Sequence, residues 1–150
     1  MFTTHHFCLT VSNLERSLTF YRETFGMEVV RNIPERHGAD ISGIVGLPDA
    51  RLKIAFLKLP YPGDLQLELM EFVSPPGQRV DLRVFKVGAT HICFFVDDMD
   101  AACALLRQRG VRFKSDPVEL AVGTNKGGKA ILFEDPDGIG LELVQPAKRS

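Results

Sequence analysis

The chain has 150 residues, 45% hydrophobic and 25% charged, which are the proportions of one compact globular domain and not of a disordered segment. Its 18 basic and 19 acidic side chains leave a formal net charge of −1, and no local basic run breaks that balance, so nucleic acid is not an expected partner. No apolar stretch approaches the roughly 18 residues of a membrane-spanning helix.

The opening Met1-Phe2-Thr3-Thr4-His5-His6 has neither the charged nor the apolar part of a secretory leader. Cys8, Cys93 and Cys103 are odd in number and unhelpfully spaced for a disulfide framework. Reduced thiols in a cytoplasmic protein are the expectation.

In chain order, a first strand places Phe7, Leu9 and Val11 on one face and Thr4, His6, Cys8 and Thr10 on the other. Leu14, Leu18, Tyr21 and Phe25 then recur at helical spacing and predict one buried helix face. Ser12 with Glu15 reads as a capping box, and Gly26 as the C-terminal stop. A short strand at 27–30 follows, then a long loop at 34–50 containing Gly38, Gly43, Gly46 and Pro48. Strands are predicted at 51–59 and 65–72, joined through Pro60, Pro62 and Gly63.

A connection at 75–88 leads to a second strand from His91, with Ile92, Phe94 and Val96 on its covered face. Met99, Cys103, Leu106 and Gly110 repeat the helical spacing, with Asp97 or Asp98 as cap. Strands are predicted at 111–114, 129–133 and 139–144. The last two join through Asp135-Pro136-Asp137-Gly138, a strong turn signal. The intervening 115–128 reads as a hairpin-like excursion ending in Lys126-Gly127-Gly128, which could admit an anionic substrate tail.

The two halves are copies. A shift of 85 positions lays His6-Phe7-Cys8 on His91-Ile92-Cys93 and the first helix on the second, and a shift of 74 lays Leu67-Glu68-Leu69 on Leu141-Glu142-Leu143. Both halves read strand–helix–strand–strand–strand. The expectation is a single α+β domain of tandem βαβββ modules, 1–74 and 89–150, with 75–88 as linker.

His6, Glu68, His91 and Glu142 all project from the faces that the leucines leave uncovered. Two imidazole nitrogens and two carboxylates, if the sheets curve together, suit a divalent transition metal with positions left for water or substrate. Cys8 and Cys93 face the same way and would permit a closed His2Cys2 zinc site, which would leave Glu68 and Glu142 unexplained. His5 points to the apolar side on this reading.

The stretches HFCLTVSNLERSLTFY from His6, HICFFVDDMDAACALLRQRGV from His91 and FEDPDGIGLEL from Phe133 resemble the vicinal oxygen chelate superfamily, the glyoxalase, bleomycin-resistance and dioxygenase group. The resemblance implies a cupped eight-stranded mixed sheet around a metal, with His6, Glu68, His91 and Glu142 at the ligand positions. Glyoxalase I and methylmalonyl-CoA epimerase are the similar branches, and they make Glu142 the first choice of catalytic base and Glu68 the second acid/base. The paired glutamates resemble bacterial glyoxalase I, whereas epimerases tend to have Gln at the place of Glu68. The Met70-Glu71-Phe72-Val73-Ser74 stretch lacks the Asn that helps glyoxalase I hold glutathione, and Asp40 is a weak stand-in for an additional epimerase glutamate.

A metal with open positions (Ni, Co, Mn, Zn or Fe) can bind neighbouring substrate oxygens and stabilise an enediolate or enolate. The expected activity is therefore that of a lyase or isomerase moving a proton beside a carbonyl, on a small molecule carrying a carbonyl and an adjacent oxygen. The alternatives are an Fe(II) ring-cleaving dioxygenase, with His37 as its spare acid/base, and thiol transfer or metal-free drug sequestration. A homodimer is expected, because βαβββ modules leave sheet edges needing cover.

Overall fold

The structure is a computed structural model that describes residues 2–59 and 63–147, so the expected turn through Pro60 and Pro62 lies outside the described residues. The chain divides into two compact units, Met1–Val80 and Asp81–Ser150. Each carries one four-stranded mixed sheet, so the eight strands fall four and four.

In the first unit β1 (His6–Thr10), α1 (Leu14–Phe25), β2 (Glu28–His37), α2 (Ala39–Val45), β3 (Arg51–Lys58) and β4 (Gln66–Ser74) form a sheet of order β1-β4-β3-β2. In the second, β5 (His91–Phe95), α3 (Met99–Gln108), β6 (Val118–Glu119), β7 (Lys129–Glu134) and β8 (Gly140–Gln145) give the order β5-β8-β7-β6. The first strand of each unit runs parallel to the last, in the same register: Cys8 lies opposite Glu68, and Cys93 opposite Glu142.

Burial follows the helical spacing. Leu14, Leu18 and Tyr21 in α1 and Met99, Cys103 and Leu106 in α3 are all buried, as are Leu67, Leu69, Leu141 and Leu143 in the strands. Ser17 shares the buried face of α1, and its Oγ has no hydrogen-bond partner among the described residues. Ser17→Ala removes an unsatisfied hydroxyl and raises helix propensity, so stability should hold or rise by up to about 1 kcal/mol, read from urea denaturation.

Several local expectations are corrected. The N-cap of α1 is Asn13, whose Oδ1 accepts from the Arg16 N–H at 2.9 Å, in place of the Ser12/Glu15 box. Asp98 is the cap of α3, accepting from the Ala101 N–H at 2.9 Å. The strand expected at 27–30 runs on to His37: β2 is an edge strand, and Pro34 falls in a register shift between Ile33 and Arg36, where a missing N–H breaks no ladder bond.

The loop expected at 34–50 contains α2. Ile41 is buried with Leu52 and Ile54, and Ile33, Val45, Phe56, Met70 and Phe72 pack around them. Register places Phe56 opposite Glu68 and Ile54 opposite Met70, so α2 covers the far part of the very face that carries Glu68. That face is therefore only partly uncovered.

Residues 111–114 form no strand, only a bridge from Phe113 to Phe133; the fourth strand of the second sheet is β6, inside 115–128. That excursion is closed by backbone bonds, Leu120 N–H to Gly128 O and Gly127 N–H to Leu120 O, both 2.8 Å. Gly128 is required there, since a Cβ would stand 2.2 Å from the Gln145 carbonyl oxygen. The Asp135 turn forms as read, its Oδ1 accepting from the Asp137 and Ile139 N–H groups at 2.8 and 2.9 Å.

Candidate metal and proton-transfer site

Each sheet brings one imidazole against one carboxylate. His6 Nε2 lies 3.1 Å from Glu68 Oε2, and His91 Nε2 lies 3.2 Å from Glu142 Oε2. The alternation of strand side chains is the cause. Leu67 and Leu69 turn into the core beneath α1, so Glu68 must emerge on the other face, and the parallel neighbour brings its histidine to the same side. Glu68 is the more enclosed carboxylate, its side chain 9% exposed against 24% for Glu142.

The two thiols sit with the carboxylates. Cys8 donates to Glu68 and Cys93 to Glu142. Desolvation first, and the neighbouring Glu68 carboxylate second, push the Cys8 thiol up to about 12; the same causes with Glu142 push Cys93 up to about 11. Without a cation both stay protonated at neutral pH, so neither is a pre-formed thiolate ligand. All three cysteines are free.

Other expected site residues lie elsewhere. His5 is exposed and does not face the apolar side; its Nδ1 stands 2.7 Å from Nδ1 of His6. His37 pairs with Arg51, at the opposite end of β3 from the Phe56 and Lys58 positions beside Glu68 and Gln66. Asp40, on α2, is ion-paired to Arg36 of β2.

A pair of residues not singled out in the sequence emerges beneath the site. Glu71 Oε2 accepts from the Leu14 N–H at 2.7 Å, and Gln145 Oε1 accepts from the Met99 N–H at 2.7 Å. Each stands three residues after its glutamate, and an odd offset on a strand points to the opposite face. Glu68 and Glu142 thus face the site while Glu71 and Gln145 anchor the first turn of each helix. The signal was present, since Glu71 and Gln145 are related by the same shift of 74.

Glu71 also accepts from Lys53 Nζ at 2.9 Å. Glu71→Ala should destabilise the fold by about 1–2 kcal/mol, whereas Glu71→Gln keeps the helix acceptor and should lose less than half of that, by denaturant midpoint.

In the second unit a pocket of about 490 Å³ opens beside His91, walled by Phe85, Leu132, Phe133 and Gly140, with Lys114 ion-paired to Glu134 in its lining. Its apolar walls and single imidazole suit a small organic molecule held beside His91.

The chemistry of the donors can be tested against a cation. Two donors bound at about 2.1 Å and at about 90–109° to one another stand about 3.0–3.4 Å apart. The separations of 3.1 and 3.2 Å match such an edge, and equally match the hydrogen bond that holds each pair without metal. Among the described residues no group of three or more His, Cys, Asp or Glu side chains is gathered for a metal ion; each module by itself presents two.

Comparison with known proteins gives the family and the fold. Residues 3–143 match the model of the Glyoxalase/Bleomycin resistance protein/Dioxygenase superfamily, and the chain belongs to that superfamily. It is 32% identical over 144 residues to a 2-epi-5-epi-valiolone epimerase from Actinomyces sp, covering 93% of this chain and 77% of that one. It is 29% identical to the mitochondrial methylmalonyl-CoA epimerase of Mus musculus (94% and 70% covered) and 28% identical to the lactoylglutathione lyase of Shigella flexneri (93% and 90% covered). A crystal structure of a glyoxalase family protein from Bacillus cereus shares the fold, with a TM-score of 0.78 at 20% identity over 98% of this chain and 95% of that chain. No helix among the described residues is long and apolar enough to cross a membrane.

Proposed function

We propose that this chain is a divalent-metal-dependent lyase or isomerase that moves a proton on a carbon beside a carbonyl. The observation that supports it is the duplicated His Nε2–Glu Oε2 pair, at 3.1 and 3.2 Å in the two modules, each spaced as one edge of a coordination sphere. His6, Glu68, His91 and Glu142 would hold the cation, one pair from each module, within one chain or between the copies of a homodimer. Relatives that are epimerases and a lyase favour proton transfer over ring cleavage.

A bound divalent cation would polarise the substrate's neighbouring oxygens and make the adjacent C–H acidic enough to lose its proton. The chain's own groups do the rest. Glu142, the more accessible carboxylate, takes the proton from carbon; Glu68, more enclosed, is the second acid/base that delivers or holds a proton. The apolar pocket beside His91 orients the carbon substituent and keeps bulk water from the carbanionic carbon. The cytoplasm is the proposed compartment, in keeping with three free thiols.

Metal analysis of the purified protein, followed by NMR of solvent-deuterium entry into α-hydroxy ketone, hemithioacetal and acyl-CoA candidates, tests the reading. Metal-dependent exchange with one of them is expected. A metal-loaded protein that exchanges none of them but consumes oxygen with catechols would overturn it in favour of a dioxygenase.

A further inference from the structure

Among the described residues, His5 is the only histidine whose ring meets that of a proposed ligand. The two centroids are 5.0 Å apart with the planes at 86°, and the Phe56 ring stands edge-on to both, at 6.4 Å from His5 and 5.5 Å from His6. Both nitrogens of His6 are therefore engaged: Nε2 with Glu68 at 3.1 Å and Nδ1 with His5 Nδ1 at 2.7 Å. The second module has Thr90 in the equivalent place, so the pairing is a property of the first module alone.

A neutral imidazole has one N–H and one lone pair, so between two Nδ1 atoms one must donate and the other accept. Without a cation, His6 Nε2–H donates to the Glu68 carboxylate. Its Nδ1 is then the acceptor, and His5 supplies the proton from its own Nδ1. A cation at Nε2 of His6 requires a bare lone pair there, which puts the His6 proton on Nδ1. Nδ1–H must then find an acceptor, and His5 provides one by carrying its own proton on Nε2.

Resting on the metal reading above, we propose that His5 is a positioning residue for His6: the two rings exchange tautomers together, so that His6 is fully hydrogen-bonded both with and without the cation. In each ring one proton leaves one nitrogen and one returns to the other, by way of water, so no proton is gained or lost overall. A carboxylate or carbonyl in place of His5 could only accept, and an Arg or Lys could only donate. The amphoteric imidazole satisfies both states, with the Phe56 ring standing edge-on to it.

The test uses the full-length chain with 15N-labelled histidine and Zn(II) as the probe, at a pH where imidazoles are neutral. In the metal-free protein, long-range 1H–15N correlation should show His5 in the Nδ1–H form, the minor tautomer of free imidazole, and His6 in the Nε2–H form. Zn(II) should reverse both assignments. His5→Phe keeps a ring against Phe56 but offers no acceptor, and should weaken Zn(II) affinity about 10- to 100-fold in competition with a chromophoric chelator. His5→Gln, whose amide can accept or donate, should restore most of that loss.

The positioning role is overturned if metal-free His5 shows the Nε2–H form, or if His5→Phe binds Zn(II) as tightly as the wild type. A wild-type chain that shows the expected metal-free tautomers yet takes up no Zn(II) identifies the metal reading as what failed, and the role of His5 falls with it.

Discussion

Glu142→Gln should slow solvent-deuterium entry into the substrate about 10²- to 10⁴-fold while leaving the fold intact. The amide matches the carboxylate in shape, and its oxygen can still face His91, but it has no basic lone pair for a carbon-bound proton. Glu142 is the candidate because its side chain is the more exposed of the two glutamates and its partner His91 lines the pocket of the second unit. Glu68→Gln should also impair turnover, with a smaller loss of exchange, if its part is to hold or return the proton. Exchange followed by NMR, with bound metal measured on the same samples, separates lost basicity from lost metal. Exchange persisting at wild-type rate in Glu142→Gln would remove Glu142 from the mechanism, and persistence in both variants would remove the whole scheme.

Gly140→Ala should damage both the fold and the site. Gly140 lies opposite His91 in the parallel ladder, and a Cβ there would meet the Thr90 carbonyl oxygen at 2.9 Å and the His91 Cβ at 3.0 Å. Neither is the far end of a flexible side chain, so the two strands must part. A loss of about 2–3 kcal/mol is expected from such overpacking, together with separation of His91 from Glu142 and weaker metal retention. Gln66 occupies the equivalent place opposite His6 and carries a side chain, so Gln66→Ala should cost much less. Urea denaturation and metal content of the two variants, side by side, check the contrast. A Gly140→Ala protein with wild-type stability and metal content would mean that the ladder gives way at no cost.

How far these residues were legible beforehand depends on the range of the force that places them. The alternation Leu67-Glu68-Leu69 and its copy Leu141-Glu142-Leu143 is local information: once a strand forms with leucines inward, the carboxylate has one direction left. The helix spacing from Leu14 and from Met99 is equally local: Leu14, Leu18 and Tyr21 and Met99, Cys103 and Leu106 are buried as expected, whereas Phe25 is half-buried and Gly110 is exposed beyond the end of α3. Capping was misplaced by one residue at α1 because Ser12 and Asn13 are both competent caps, and only the chain's entry angle selects Asn13.

The extension of β2 beyond residue 30 and the helix α2 were not expected, for another reason. Pro34 ends a strand on local grounds, yet an edge position with a register shift tolerates it. The Ala39–Val45 helix has seven residues and contains Gly43, so its own propensity is poor; it persists because Ile41 and Val45 cover Leu52 and Ile54. The strand expected at 111–114 failed for the converse reason. Val111 and Phe113 are apolar enough for a strand, but β6 pairs with Ala130 and Lys129 instead.

By itself, then, the sequence determined the duplication, the helix faces and the side of each sheet on which His6, Glu68, His91 and Glu142 emerge, because period-2 and period-3.6 patterns are written residue by residue. The tertiary structure alone decided that β1 lies parallel to β4 and β5 to β8 in the register that sets each histidine against its glutamate. It also decided that Glu71 and Gln145 anchor the helices behind them, and that His5 meets His6. Those are contacts between segments more than 45 residues apart, or between neighbouring rings whose side-chain orientation the backbone pattern does not fix, and no local pattern encodes them.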